Sequence, residues 1–273
     1  MYLQCGKFQL SLARPLIMGV VNITPDSFSD GGEFATTHRA LARARQLIEE
    51  GADIIDIGGE STRPESRGVT LADERARVLP VLQELAAGPV PISVDTQKPE
   101  LMGEAIACGA AMINDVNALQ SPGAVATVAA SRVAVCVMHK RGTPADMQRN
   151  PHYEDVVAEV LAFLGERVRI LRAAGISSDR MVIDPGFGFG KTLEHNLELL
   201  RRLARFGEID VPMLVGMSRK SMLGSITGRN AGERVYASVA AALVAVHHGA
   251  NIVRVHDVAA TRDALAIWQA AKE

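Results

Sequence analysis

The sequence lacks the features that define several specialised protein classes. Its three cysteines, Cys5, Cys108 and Cys136, form no C-x-x-C pair and no metal-ligand spacing, which argues against a disulfide framework and a zinc module. A sparse and odd number of cysteines is typical of proteins from a reducing compartment. We therefore expect a cytoplasmic location, with the thiols as small buried apolar groups.

Long apolar runs and an excess of charge of one sign are also missing. An apolar run such as ASVAAALVAV at 237–246 is too short to cross a bilayer, and the first ten residues do not resemble a signal peptide. The formal net charge is only −2, so nothing global favours nucleic acid or an acidic membrane as a partner. Any attraction for an anionic ligand must be local.

The glycine-rich stretch IDPGFGFGKT at 183–192 does not complete either nucleotide-binding fingerprint. A P-loop needs a glycine five positions before its Gly-Lys, and Pro185 occupies that position. The dinucleotide pattern G-x-G-x-x-G fails because Lys191 stands where its last glycine belongs. We therefore expect Lys191 to be a solvated residue in the first turn of a helix rather than a phosphate ligand.

Short runs of branched aliphatic residues recur along the whole chain. They are PLIMGVVNIT (15–24), ADIIDIGGES (52–61), PISVDT (91–96), MINDV (112–116), VAVCVMHK (133–140), MVIDPG (181–186), VPMLVGMSRK (211–220) and NIVRVHDV (251–258). Continuous runs of this kind, bounded by glycine and proline, are typical of strands buried on both faces of a parallel sheet.

Helical patterns separate these runs. The segment THRALARARQLIEEGA (37–52) has apolar residues near a 3.6-residue period, and Gly51 is a plausible helix C-cap. Similar segments lie at about 70–87, 98–108, 121–130, 152–174, 191–206, 232–248 and 258–272. Eight strand–helix alternations in 273 residues predict a (β/α)₈ TIM barrel, as one domain over residues 1–273. A doubly wound open sheet is the competing prediction.

Each apolar run ends in polar or charged residues. In a (β/α)₈ barrel the C-terminal strand ends form the active-site face. Single polar residues at such places often cap helices or stabilise turns. Asp95, Asn114, Asp184 and Lys220, however, lie inside or at the edge of apolar runs, where an unpaired charge is costly. We therefore expect a functional cluster at this face of the barrel.

The chemistry of these residues suggests two kinds of ligand group. Asp95, Asn114, Asp184 and Lys220 combine acceptors with donors, which suits a flat heterocycle with a guanidine-like N–H edge and a carbonyl. A second set offers mainly donors, the chemistry that binds phosphate. It consists of Asn22, Arg63, Arg254 and His256. Asn22 also has a carbonyl oxygen of the kind that Mg²⁺ accepts.

These segments resemble the dihydropteroate synthase family. IMGVVNITPDSFSDGG (17–32) and GADIIDIGGESTRP (51–64) are similar to the family's signature segments. The resemblance continues through SVDT, INDV, IDPGFGFGK, GMSRKS and RVHDV, in family order, and extends from about Pro15 to Val258.

The resemblance implies a reaction, a cofactor and partners. The pterinylmethyl group of 6-hydroxymethyl-7,8-dihydropterin diphosphate is transferred to 4-aminobenzoate, which gives 7,8-dihydropteroate and pyrophosphate. We expect an SN1-like displacement, Mg²⁺ near Asn22, sulfonamides as inhibitors and a homodimer. The Ala-rich helix at 237–246 could pack on the barrel or on a second subunit.

The resemblance also implies roles for individual residues. The expected catalytic residues are Asp95, Arg63, Lys220, Arg254 and His256. The expected contacts of the pterin diphosphate are Thr62, Asp95, Asn114, Met138, Asp184, Lys220, Arg254 and His256. The expected contacts of 4-aminobenzoate are Phe28, Thr62, Pro64, Phe189 and Ser221, with a helix that starts at Ser221.

Two other functions fit parts of the same pattern. A non-catalytic pterin-binding homologue would keep the pocket and alter the loops at 23–37 and 61–70, which look intact. A pterin-dependent methyltransferase would not need Thr62-Arg63-Pro64 or the pair Arg254 and His256. The synthase is therefore the favoured interpretation.

Overall fold

A computed structural model describes residues 1–23, 32–61, 68–143 and 146–272. Within these ranges the strands are β1 Tyr2–Cys5, β2 Phe8–Ser11, β3 Leu16–Asn22, β4 Ile54–Gly58, β5 Ile92–Asp95, β6 Met112–Asp115, β7 Ala134–Met138, β8 Met181–Asp184, β9 Leu214–Val215 and β10 Ile252–Val255. The α-helices are α1 Gly32–Glu49, α2 Leu71–Leu85, α3 Pro99–Ala107, α4 Ala124–Ala129, α5 Val156–Ala173, α6 Leu193–Arg201, α7 Ser221–Thr227, α8 Val235–His247 and α9 Val258–Lys272.

The eight strands from β3 to β10 form a parallel barrel. Their hydrogen-bonded order is β8-β7-β6-β5-β4-β3-β10-β9. The two ends of this order meet where the N–H of Ile183 donates to the carbonyl of Pro212 at 3.0 Å, beside the parallel bridge between Ile183 and Met213. An open doubly wound sheet would leave these edges apart. The prediction of a (β/α)₈ barrel is confirmed, whereas the extent of a single domain over 1–273 stays a prediction.

The interior of the barrel has an apolar lower layer and a polar upper layer. Inward-facing residues alternate with outward-facing ones along each strand. The lower layer consists of aliphatic and sulfur-containing side chains, among them Met18, Ile54, Met112, Val182 and Ile252. One step further along the strands the inward positions are Asp56, Asp95, Asn114, Asp184 and Arg254, all at or near the C-terminal ends. The outward faces pack against the helices as a separate apolar cluster.

An N-terminal hairpin closes the lower end of the barrel. Strands β1 and β2 pair antiparallel, and Leu3 and Cys5 are fully buried against the apolar lower layer. The sequence analysis did not predict this hairpin, because two four-residue strands with few branched residues give a weak signal. The hairpin keeps water out of the end of the barrel that lies opposite the polar layer.

Two features of the helices bear on the site. Helix α7 is an extra helix between β9 and α8 and begins at Ser221, as the family resemblance implied. Helix α6 begins after Thr192, whose hydroxyl accepts the N–H of His195 in a capping box.

Within the described residues, no helix is long and apolar enough to cross a membrane.

Candidate active site

Three acceptor side chains form a row along neighbouring parts of the polar layer. Asp95, Asn114 and Asp184 end strands β5, β6 and β8 or lie next to their ends, and each is at most 8% exposed. Asp184 is fixed by the N–H of Gly186, which donates to its Oδ1 at 2.7 Å. Met138 ends the intervening strand β7, pairs with Asp184 in register and is buried. The row therefore presents acceptors over an apolar floor.

Lys220 faces this row from the loop that follows β9. Its ammonium donates to the carbonyl oxygen of Phe187 and lies 4.6 Å from the centre of the Phe189 ring. Burial lowers the pKa of Lys220 to about 8, and the carboxylate of Asp184 opposes that shift. Burial likewise raises the pKa of the Asp184 carboxyl, and Lys220 opposes that rise. The two groups therefore stabilise each other's charged forms.

Arg254 lies between two carboxylates at the centre of the layer. Its Nε donates to Oδ2 of Asp56 at 2.7 Å, and its Nη2 donates to Oδ2 of Asp95 at 3.1 Å. Burial lowers the pKa of the guanidinium, but the charges of Asp56 and Asp95 outweigh burial, so the net shift is upward. Burial raises the pKa of the Asp95 carboxyl well above its usual range, although Arg254 opposes the rise.

His256 and Asn22 lie beside this cluster at neighbouring strand ends. The backbone N–H of His256 donates to Oγ of Ser218 at 3.2 Å, and the Nδ1 of its ring is 3.0 Å from the same oxygen. Asn22 is the last residue of β3, the strand that pairs with β10. Both side chains are half-buried, so both are accessible from the mouth of the barrel.

The described residues can bind a Mg²⁺ ion only when the ion is also coordinated by a phosphate-bearing ligand. They contain no group of three or more His, Cys, Asp or Glu side chains arranged to hold a metal. The half-buried amide of Asn22 supplies one oxygen at the strand end. Mg²⁺ commonly takes one or two protein oxygens and completes its shell with water and substrate phosphates. The donor set therefore suits an ion that enters with a diphosphate.

The prediction for Lys191 was wrong. The side chain is only 3% exposed. Its Nζ donates to the carbonyl oxygens of Gly186 at 2.8 Å and Phe189 at 3.2 Å, and lies 3.0 Å from Nδ1 of His139. Burial lowers the pKa of the Lys191 ammonium. Lys191 thus stabilises the loop from beneath, with backbone carbonyls in place of water around its ammonium.

Glycine is required where this loop meets the neighbouring strand end. Gly186 and Gly190 both have positive φ angles, +70° and +66°. A Cβ atom at 186 would lie 1.9 Å from the carbonyl oxygen of His139, and one at 190 would lie 2.2 Å from that of Arg141. The glycines of the 186–190 loop therefore allow backbone to pack on backbone, which explains the motif without a nucleotide.

Four predicted contact residues, Phe28, Thr62, Arg63 and Pro64, lie outside the described residues. Of the expected aminobenzoate contacts, Phe189 is half-buried beside Lys220, and Ser221 is exposed at the first turn of α7. The structure thus brings the described residues of the prediction to one end of the barrel. Their individual roles stay predictions.

Asp56 and Lys191 were not predicted as parts of the site, and Ser218 was predicted only as a polar residue at a strand end of the active-site face. Asp56 stands in the middle of the apolar run IIDIGG, where an isolated carboxylate signals a buried charge that needs a partner. Ser218 lies directly before two basic residues, and the predicted ligand contact was assigned to the second of them, Lys220. Lys191 was predicted to be solvated only because the glycine spacing of the nucleotide-binding motifs is incomplete. That spacing carries no information on burial.

Comparisons with known proteins agree with this geometry. A family model described as "Pterin binding enzyme" matches residues 18–256. That match defines the class of the protein: it is a pterin binding enzyme.

Individual relatives narrow the class further. The dihydropteroate synthase of Neisseria meningitidis serogroup B is 52% identical over 98% of this chain and 96% of its own. The Xanthomonas albilineans dihydropteroate synthase solved with 4-aminobenzoic acid has a TM-score of 0.94 and 53% identity over 99% and 98% of the two chains. The same enzyme solved with 7,8-dihydropteroate has a TM-score of 0.91 and 50% identity over 100% and 99%. The chain belongs to the dihydropteroate synthase family, a family of transferases.

We expect Lys191→Met to weaken both the fold and the site. The change removes an ammonium that donates to the carbonyls of Gly186 and Phe189 and leaves buried acceptors unpaired, which should lower the free energy of unfolding by about 2 to 4 kcal/mol. Urea unfolding measures this loss. The exposed Lys7→Met is the matched control and should change stability little. If the Lys191→Met protein is as stable as the control, the result would support the prediction that Lys191 is solvated.

Proposed function

We propose that the protein catalyses the dihydropteroate synthase reaction with the residues of the polar layer. It transfers the pterinylmethyl group of 6-hydroxymethyl-7,8-dihydropterin diphosphate to the amino group of 4-aminobenzoate and releases pyrophosphate. The observation that carries the proposal is the row of buried acceptors, Asp95, Asn114 and Asp184, next to Arg254 and His256 at one end of the barrel.

The acceptor row orients the pterin ring. The guanidine-like N–H edge of a pterin donates to Asp184 and Asn114, while the ring carbonyl accepts from Lys220. Met138 supplies apolar surface against the flat ring, since it is buried between the strands that carry Asn114 and Asp184. Buried polar groups of this kind favour a matching ligand strongly, because a ligand without the N–H edge would leave them unpaired.

The donor groups stabilise the leaving diphosphate. Arg254 and His256 lie at the same strand end, and Nη1 of Arg254 makes no hydrogen bond among the described residues. The family resemblance adds Arg63, which lies outside the described residues, as a further expected positive charge. Mg²⁺ held by Asn22 and the phosphate oxygens would neutralise part of the leaving group's charge. These cations favour departure because they meet charge that grows in the transition state.

Asp95 stabilises the positive charge that develops on the pterin. The reduced ring donates electrons toward the methylene carbon as its bond to diphosphate breaks, which supports an SN1-like displacement. The carboxylate of Asp95 is 8% exposed, and a charge in such a dry site acts more strongly than in water. Exclusion of water also prevents hydrolysis of the electron-poor methylene.

The second substrate enters next to Phe189 and α7. The ring of Phe189 offers an apolar surface beside Lys220, and Ser221 offers a hydroxyl and a backbone N–H at the first turn of α7. The family resemblance adds Phe28, Thr62 and Pro64, which lie outside the described residues, as further expected contacts of this substrate. The arylamine nitrogen is neutral near pH 7, so it needs no strong general base to attack the methylene. Sulfonamides are the expected inhibitors of this subsite.

The alternative functions explain less of the same layer. A pterin-dependent methyltransferase does not need a diphosphate subsite, which leaves Arg254 and His256 without a ligand to bind. A non-catalytic homologue has no need for the carboxyl group that we propose to stabilise the developing cation. Free thiols at Cys5, Cys108 and Cys136 are in line with a reducing compartment, so the cytoplasm remains our proposed location.

The synthase is tested by product formation with each component omitted in turn. We expect pyrophosphate release and 7,8-dihydropteroate only when dihydropterin diphosphate, Mg²⁺ and 4-aminobenzoate are all present. Chromatography of the product and a pyrophosphate assay measure the two outcomes. Pterin binding without product would favour the non-catalytic homologue, and absence of pterin binding would reject the pocket.

Asp184→Ala should abolish measurable pterin binding. The change removes the acceptor for the pterin N–H edge and leaves Lys220 without its opposing charge, a loss of about 3 kcal/mol or more for a buried charged contact. Calorimetry with the pterin substrate measures the affinity. Asp210→Ala, at an exposed turn of the same barrel, is the control. Equal affinity in Asp184→Ala and the control would refute the assignment of Asp184.

We also propose a homodimer through α8 and α9. Tyr236 and Val244 on α8 are 88% and 41% exposed, and Ile267 on α9 is 73% exposed. Sedimentation of the purified protein should give twice the chain mass, and the double change Tyr236→Glu with Ile267→Glu should give the monomer. The same change at Tyr2, also exposed, should leave the dimer intact. A wild-type monomer at micromolar concentration would contradict this proposal.

A further inference from the structure

Asp56 is a buried carboxylate that the proposed reaction does not use. Its side chain is 0% exposed. Its Oδ2 accepts from Nε of Arg254 at 2.7 Å and from Nδ2 of Asn114 at 3.3 Å. The other oxygen, Oδ1, is buried with no hydrogen-bond partner among the described residues. Burial of a carboxylate in this way costs free energy unless its charge is compensated, and Arg254 supplies the compensating charge.

Asp56 and Asp95 contact Arg254 from two levels of the barrel. Asp56 pairs in register with Ser93, and Asp95 pairs with Gly58, so Asp95 lies one inward step nearer the mouth. The side chain of Asp95 is 10% exposed, against 0% for Asp56. A ligand that enters from the mouth can therefore reach Asp95. Asp56 is out of its reach and contacts Arg254 instead.

We propose that Asp56 is a positioning residue that holds Arg254 and balances its charge, so that the carboxyl group of Asp95 remains available to the pterin. This inference rests on the proposed synthase function and assigns a role to a residue outside the substrate contacts. Asp56 itself contacts no substrate. It acts through Arg254, and through Asn114 it also fixes one of the pterin-facing amides.

The guanidinium of Arg254 is shared between two carboxyl groups, those of Asp56 and Asp95. With Asp56 present, Arg254 can keep its Nε contact to Asp56 when the pterin engages Asp95. Without Asp56, Asp95 would be the only carboxylate among the described residues in contact with Arg254, and the two charges would neutralise each other. In a site of low dielectric constant that pairing would weaken the stabilisation of a developing cation.

The first test is Asp56→Asn, which keeps the shape and removes the charge. We expect kcat to fall roughly 10- to 100-fold, less than the 10²–10³-fold typical of a group that contacts the reacting charge. The dissociation constant of the pterin substrate, measured by calorimetry, should stay within about threefold, because the pterin edge still has Asp184. Unchanged kcat would overturn the proposal.

Asp53→Asn is the matched control. Asp53 lies three residues earlier in the sequence and also pairs with arginine, since it accepts from Arg14 at 3.0 Å and from the N–H of Ile17 at 2.9 Å. This pair lies at the opposite end of the barrel. We expect the control to lose stability in thermal unfolding while its kcat stays within about twofold of the wild type. An equal fall in kcat for both variants would assign the effect of Asp56 to stability alone.

A double-mutant cycle separates a role through Asp95 from general damage. If Asp56 acts by leaving the carboxyl group of Asp95 available, Asp56→Asn should have less than about a threefold effect on kcat in an Asp95→Asn background. Additive losses would overturn the proposal. A wild-type protein without turnover would reject the synthase function and this role with it. If the wild type turns over but the effects of Asp56→Asn and Asp95→Asn on kcat are additive, only the role of Asp56 is rejected.

A crystal structure of the wild type with bound pterin provides a test that does not depend on the variants. The proposal expects Nε of Arg254 to remain on Asp56 while Nη2 leaves Asp95. If Asp56→Asn does not fold, this structure decides the question. An Arg254 that has left Asp56 for Asp95 in the pterin complex would overturn the proposal.

Discussion

The compensation of charges inside a closed barrel is the constraint on which the rest of the site depends. Arg254 supplies one positive charge to Asp56 and Asp95, and the three side chains are buried or half-buried. The hairpin and the apolar lower layer exclude water from the other end. Each charge in the upper layer must therefore be balanced by a neighbour on an adjacent strand or by a ligand. The parallel barrel makes this possible, because it brings the ends of distant sequence segments together.

The same constraint explains how the 186–190 loop is held. Lys220 donates to the carbonyl of Phe187 from the substrate side, and Lys191 donates to the carbonyls of Gly186 and Phe189 from beneath. Two buried ammonium groups thus order one loop through backbone oxygens rather than through carboxylates. The arrangement leaves the carboxylate of Asp184 for a ligand. It also shows why the sequence resembles a phosphate-binding loop, since both kinds of loop need glycines where backbone packs closely.

Much of the fold could be predicted from the sequence because continuous aliphatic runs identify buried parallel strands. The polar residues at the ends of these runs also identified the active-site face, as Asp95, Asn114 and Asp184 show. Asp56 was not predicted because the sequence around a carboxylate in an apolar run does not reveal its partner. That partner, Arg254, lies 198 residues away in the sequence. The burial of Lys191 depends on tertiary contacts with His139, and local spacing does not encode them. The hairpin was missed because its strands are short and partly exposed.

The layered barrel also explains how a nearly neutral protein could bind, as proposed, a highly charged diphosphate beside an electron-rich ring. In the proposed binding mode, acceptors on β5, β6 and β8 contact the ring, and donors at the ends of β10 and β3 contact the diphosphate. The ligand's own polarity, an N–H edge at one end and phosphate at the other, matches this separation. Since the strands fix both sets before a ligand arrives, little free energy is lost in reorganising them. The net charge of −2 is therefore no guide to what the site binds, because only the local arrangement of charge decides it.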